Sequence, residues 1–241
     1  MAGDLEKTVG IMGGLGPEAT ADFFSKLIAA TPAASDQDHL HILIDNNPKV
    51  PNRHLAIRGE SPSVGPDLVA MARRLEAAGA DFLVMVCNTA HAWTGDIRAA
   101  ISIPFISFIE EVVDHITATY ASGPVGIMAA DGCLEAELYQ DALRARGFEP
   151  LCWDKAELER FMTLVFRIKA GERDDAMGQE MADLAEDLAS RGASLIISGC
   201  TEIPLVLDAA DVRVPLISSS DLLVQRTVDY ARGTRPLPQN T

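Results

Sequence analysis

The chain has 241 residues, 48% of them apolar, with 35 Asp and Glu against 20 Lys and Arg and a formal net charge of −15. That length supports one large α/β domain or two modest ones with real cores, and the charge disfavours nucleic acid, whose phosphates require a basic face. No stretch approaches the roughly 18 uninterrupted apolar residues of a membrane helix, and no basic start leads into an apolar signal core, so a cytoplasmic protein with no membrane partner is expected.

In chain order, apolar strand-like runs alternate with amphipathic stretches: "TVGIMGG", a helix over about 17–30, "HLHILIDN", a helix over 64–78, then "DFLVMVCN". That alternation predicts βαβ units and a mostly parallel sheet. Within the 64–78 helix, Leu68, Met71, Ala72, Leu75 and Ala78 follow the i, i+3, i+4, i+7 spacing of a buried face, and Gly79 is placed as a stop. "DNNPKVPNRHLA" at 45–56 reads as a polar, proline-punctuated loop carrying Arg53.

The second half repeats the first. "VGIM" at Val9 returns at Val125, an offset of 116; Gly79-Ala80 returns at Gly192-Ala193 and Cys87 at Cys200, both offsets of 113; "IPFIS" from Ile103 returns as "VPLIS" from Val214, an offset of 111. Four markers in order at a nearly constant offset indicate an internal duplication of about half the chain, too long a period for a solenoid. The fold class expected is α/β: two pseudo-symmetric domains with mostly parallel sheets and an active site in the cleft between them. The expected division is 1–105 plus 216–241 for the first half and 106–215 for the second.

Each duplicated cysteine ends a buried parallel strand, where open α/β sheets place their ligands. The four cysteines, at 87, 133, 152 and 200, include no C-x-x-C pair and are expected to be thiols in a reducing compartment. Two equivalent acid/base groups on opposite walls of one pocket suit inversion of a stereocentre, one removing a proton while the other supplies one, and a thiol becomes a base when backbone amides stabilise its thiolate. The plain alternative for either cysteine alone is a buried structural thiol. "GLGPEA", Gly14 to Ala19, fits G-x-G-x-x-A with Asp45 ending the next strand, which suits either a dinucleotide or a smaller anion at the helix N-terminus. Arg53 could fork onto a carboxylate or simply face solvent; Lys169 would ordinarily be a solvated helix-end lysine. The five histidines show no metal spacing, so no metal is expected.

The sequence resembles the aspartate/glutamate racemase family, the cofactor-independent type, and lies nearest its aspartate racemases. The carriers are "GIMGGLGPEAT", "NNPKVPNR", "CNTAH" at 87–91 and "GCTEIPL" at 199–205, and the likeness covers nearly the whole chain. It implies two pseudo-symmetric α/β domains in a homodimer, an amino-acid substrate, no cofactor, and Cys87 and Cys200 as the two proton-transfer residues. It further implies that Asn88, Thr89 and Thr201 bind the α-carboxylate and ammonium, that Arg53 and Lys169 meet a distal carboxylate, that Gly14 and Leu15 cover the substrate, and that His91 and Glu202 tune thiol protonation. The family pattern carries threonines in the second-half loop, where this chain has Ala130 and Cys133; that loop is expected to face the pocket. The leading expectation is racemisation of aspartate or glutamate. The alternatives are an isomerase or decarboxylase of a related small carboxylic acid, a nucleotide-binding dehydrogenase or regulator, and a silent amino-acid sensor.

Overall fold

The structure is a computed structural model that describes residues 6–239. Its elements run β1 (Val9–Gly13), α1 (Pro17–Ala30), β2 (Ile42–Asn46), α2 (Arg53–Ile57), α3 (Gly65–Ala77), β3 (Phe82–Met85), α4 (Thr94–Ala100), β4 (Phe105–Ile106) and α5 (Phe108–Thr119). They continue through β5 (Pro124–Ala129), α6 (Asp131–Glu135), α7 (Leu138–Arg144), β6 (Glu149–Leu151), α8 (Lys155–Lys169), α9 (Asp175–Ser190), β7 (Leu195–Gly199), β8 (Leu216–Ser218) and α10 (Ser219–Ala231). The chain divides into two compact units: residues up to Glu111 together with those from Ser220 onward, and Val112–Ser219. Both are α/β, as the alternation of patterns predicts.

The first unit holds a four-stranded sheet in the order β2-β1-β3-β4, and every recorded pair is parallel. Side chains alternate across such a sheet, and the core divides accordingly. Val9, Ile11, Phe82 and Val84 pack with Phe23 and Leu27 of α1 and with Leu223 and Val228 of α10 on one face. Met12, Leu83 and Met85 pack with Leu68, Met71 and Leu75 of α3 on the other. The predicted apolar face of α3 is buried at Leu68, Met71, Ala72 and Leu75. Ala78 is not part of it: it lies past the last helical turn, exposed, where Gly79 takes φ +98° to end the helix. The stretch read as a loop over 45–56 folds at its end into α2, because the Asn52 side chain accepts the backbone N–H groups of His54 and Leu55 and caps a short helix.

The second unit repeats the arrangement as β6-β5-β7-β8, again parallel throughout the recorded pairs. Met128 and Ile196 join Phe161, Val165 and Ile168 of α8 and Met181, Leu184 and Leu188 of α9 in one buried cluster. α8 begins with a reciprocal cap between Asp154 and Glu157, and α9 with Asp174 accepting the Met177 amide.

The repeated "VGIM" has a steric cause. A Cβ on Gly10 would fall 2.4 Å from Leu83, 2.9 Å from Ala80 and 3.4 Å from Leu75; one on Gly126 would fall 2.9 Å from Ile196, 3.2 Å from Ala193 and 3.3 Å from Leu188. Each neighbour of Gly10 recurs 113 residues later as a neighbour of Gly126. The glycine is what lets the following helix and strand seat closely on the first strand of each unit.

Gly10→Ala and Gly126→Ala are therefore expected to overpack each core at a cost of about 1–3 kcal/mol, with Gly10 the more sensitive. Urea unfolding of the two variants checks both the cost and the ranking.

Candidate functional site

In each sheet the first strand's chain neighbour and its next partner lie on opposite sides, so a topological switch point falls between β1 and β3 and again between β5 and β7. Open parallel sheets bind ligands there, outside the carboxyl ends. Register brings those ends together: Met12 pairs with Met85, and Ala129 with Gly199. The glycine loop 13–16 and Cys87 thus leave one switch point, and Ala130 and Cys200 leave the other. Because α/β units place their crevices this way, each unit carries a candidate site of its own.

In the first unit Cys87 is 9% exposed. His91 lies one turn on, fully buried; its Nε2 accepts the Phe108 backbone N–H at 3.1 Å, which leaves Nδ1 to carry the proton and donate to the Cys87 carbonyl at 2.9 Å. Burial drives its pKa down to about 4, against the opposing pull of the Cys87 carbonyl. His91, between the Phe105 and Phe108 rings, therefore holds the backbone of the cysteine turn, and neither nitrogen bonds the sulfur. Thr89 is buried with a hydroxyl that bonds no other described residue.

Arg53 opens α2. Its guanidinium donates to the carbonyls of Leu15 at 2.7 Å, Pro51 at 3.0 Å and Val50 at 3.3 Å, while Nε is buried without a partner. No carboxylate pairs with it among the described residues, in contrast to Arg74, Arg98 and Arg232. In a chain of net charge −15 an uncompensated arginine beside a strand-end loop is a ready anion site.

The contacts of the glycine loop bear on the choice between a dinucleotide and a smaller anion. Gly14 takes φ +82°, and a Cβ there would meet the Asn47 nitrogen at 2.4 Å, so the segment after β2 passes too close for any residue but glycine. The Gly14 amide is consumed by Thr20 Oγ1 at 2.9 Å, which in turn donates to the Gly16 carbonyl at 3.0 Å. Asp45, the acid a ribose would require, is held by Arg74 at 2.7 Å. These contacts favour the smaller-anion reading of Gly14–Ala19 over the dinucleotide one. The Leu15 and Gly16 amides make no bond within the described residues, which suits a smaller anion.

In the second unit Cys200 is 7% exposed and donates its S–H to Glu202 Oε2 at 3.0 Å; the Thr201 hydroxyl donates to the same oxygen at 3.2 Å, and Lys169 Nζ meets Oε1 at 2.9 Å. Burial alone would raise the Glu202 pKa, but the Lys169 charge and the hydrogen bonds from Cys200, Lys169 and Thr201 bring it below the ordinary carboxylate value. Burial, and then the neighbouring Glu202 charge, push the Cys200 thiol well above its usual range, although Lys169 and the Glu202 amide oppose them. Cys133 has no exposed surface and Ala130 is 4% exposed, so Cys133 is a packed thiol. Tyr139 is a residue that sequence reasoning passed over: fully buried, it packs so closely on Gly199 that a Cβ there would lie 2.8 Å from its ring. A cavity of about 550 Å³ in this unit touches the stretch after Cys200 only through Leu205 and Val206 and is otherwise lined by the start of α9, by Arg173, Asp174 and Asp211. Among the described residues no three His, Cys, Asp or Glu side chains are grouped to hold a metal ion, and no helix is long and apolar enough to cross a membrane.

Residues 12–227 match the profile of the Asp/Glu/Hydantoin racemase family. The chain belongs to that family. It is 28% identical over 224 residues to the broad specificity amino-acid racemase RacX of Bacillus subtilis, covering 91% of this chain and 96% of that one. With the glutamate racemase of Deinococcus radiodurans it shares 30% identity over 177 residues, 70% of this chain and 57% of the relative. The aspartate racemase of Picrophilus torridus superposes with a TM-score of 0.80 at 24% identity over 96% of each chain, a likeness of fold. The family's enzyme class is that of the amino-acid racemases, which are isomerases.

A buried neutral histidine makes stability depend on pH. Unfolded, the ring takes up its proton near 6.5; folded, only at about 4. Between those values the unfolded chain binds more protons, so the contribution is complete above 6.5 and is lost as pH falls, by on the order of 3 kcal/mol in all. Denaturation midpoints at pH 7 and pH 5 should show this loss, and His91→Gln should flatten it.

Proposed function

We propose that this racemase inverts Cα of an acidic amino acid, aspartate foremost and glutamate next, with Cys87 and Cys200 as the two proton-transfer groups and no added cofactor. The observation that carries the reading is the recurrence of one cysteine at the same switch point in two copies of one sheet. One sulfur, as thiolate, takes the Cα proton; the electron pair of the broken C–H bond is held on the substrate as a carbanion delocalised into its carboxylate; the other sulfur delivers its own proton to the opposite face. Each turnover leaves the two sulfurs with exchanged protonation states, ready for the other enantiomer.

The polar groups beside the cysteines support binding roles. Thr89, with its open hydroxyl, and Asn88 and Thr201 serve the α-carboxylate and ammonium, joined by the free amides of Leu15 and Gly16 next to Gly14. Arg53 serves the distal carboxylate, which accounts for a cation left without an acid in so acidic a chain. Four cysteines outside any disulfide suit a reducing cytoplasm, and the family resemblance favours a homodimer. The breadth named for the Bacillus subtilis relative makes the substrate panel the decisive assay.

Chiral analysis of a panel led by aspartate and glutamate should show conversion from either enantiomer. Cys87→Ala and Cys200→Ala should each lower turnover by about 10²–10⁴-fold, the range of a lost general acid or base; near-native turnover in either would remove the two-thiol reading. Arg53→Gln should weaken kcat/KM for aspartate by about 10–100-fold, the worth of a charged hydrogen bond, while sparing alanine. An equal loss on both substrates would take the distal carboxylate away from Arg53.

A further inference from the structure

We propose that Tyr139 and Ser219 are positioning residues for Cys200: a buried relay of two hydroxyl groups fixes the peptide unit from which the Gly199-Cys200 turn departs. The inference rests on the reading of Cys200 as a proton-transfer group and deepens it.

Ser219 follows β8 and opens α10. It is buried, and its hydroxyl donates to the Ser198 carbonyl at 2.8 Å. A serine hydroxyl has one proton to give. The Tyr139 hydroxyl, which hydrogen-bonds the Ser219 side chain, is therefore the donor in that second bond. Burial, the largest influence on the phenol, holds its pKa well above the usual range, so the proton stays on Tyr139. The relay thus runs one way, from the Tyr139 O–H through the Ser219 O–H to the carbonyl two residues before Cys200. The ring completes the hold, since it sits where a Cβ on Gly199 would come within 2.8 Å of it. One side chain braces the peptide through its ring and ties it through its oxygen.

The two copies perform one task by different means. "IPFIS" and "VPLIS" align Phe108 with Ser219 at an offset of 111, and each of these residues opens the helix that follows the last strand of its unit. In the first unit His91 ties Phe108 to the cysteine turn, accepting the Phe108 amide at 3.1 Å and donating to the Cys87 carbonyl at 2.9 Å. The residue 113 positions after His91 is Pro204, whose side chain has no hydrogen-bonding atom to make such a bridge. Here Ser219 bonds the end of β7 directly and Tyr139 holds Ser219. Tyr139 matches Phe23 at an offset of 116, a fully buried ring without a hydroxyl. The extra oxygen is present in the unit that lacks the histidine and absent from the unit that has it. Glu202 acts on the Cys200 sulfur, whereas the relay acts on the backbone that carries it.

Tyr139→Phe and Ser219→Ala in the full chain each delete one oxygen and keep the ring on Gly199. With aspartate, each should lower kcat by about 10–100-fold, the effect of displacing a reacting group by roughly 1 Å. KM should stay within about twofold of native, because the relay touches no substrate. The double variant should be no slower than the slower single one, since two hydroxyls acting as a unit do not lose twice. A second readout needs no turnover: iodoacetamide labelling of Cys87 and Cys200, quantified separately by mass spectrometry. Cys200 should label faster in each variant and Cys87 at its native rate. If Tyr139→Phe does not fold, Ser219→Ala decides by the same two readouts. Native kcat in the folded variants, even with a lowered urea midpoint, would leave the pair merely structural and overturn the proposal. So would losses that multiply in the double variant, or equal changes in labelling at both cysteines. Full racemisation by Cys200→Ala would instead defeat the underlying assignment of Cys200, so the two failures are distinguishable.

Discussion

The parallel pairing of the first and third strands in each unit is the constraint on which the rest depends. Val9 to Met12 run in register with Phe82 to Met85, and Val125 to Ala129 with Leu195 to Gly199. The loops leaving those strands must then emerge side by side at the carboxyl edge, and a cysteine placed one or two residues past the third strand is delivered to the switch point. The pairing needs a glycine in the first strand, at Gly10 and at Gly126, because alanine and leucine side chains crowd that spot in both units, joined in the second by Ile196. A residue without chemistry thus sets where the chemistry stands.

Upon this shared frame the two copies have diverged. In the first, the turn after the cysteine is held by a neutral histidine that bonds only backbone atoms, and a nearby arginine rests on three carbonyls without an acid. In the second, the turn carries a buried carboxylate tied to a lysine and to the thiol itself. The first unit carries an arginine without a carboxylate partner among the described residues, and the second a carboxylate with a lysine and a thiol on it. A symmetric fold with asymmetric electrostatics suits a reaction whose two half-steps, proton removal and proton delivery, are themselves opposite in sense.

Much of this was legible in the sequence because it is periodic or repeated. Strand and helix alternation predicts the parallel sheets, and the 113-residue offset links Cys87 to Cys200 before any strand is seen. What could not be read is which distant side chains share a partner. Arg74 of α3 holds Asp45, Asn47 crowds Gly14, and Lys169 at the end of α8 pairs with Glu202. His91 and Glu202 were recognisable as candidates for tuning because they follow the cysteines, yet only the geometry shows that one acts on a carbonyl and the other on a sulfur. Local pattern speaks to backbone course; charge pairing is a long-range property of the folded chain.

The central claim is that two separate groups handle the proton on the two sides of one carbon. Racemisation of aspartate in heavy water, stopped after a few per cent conversion with no cofactor added, tests this most directly. The account predicts that the newly formed enantiomer carries deuterium at Cα while the recovered substrate remains protiated, whichever enantiomer is supplied. Product that keeps the substrate's own hydrogen would show that one group does both jobs, and the paired-thiol account would be wrong.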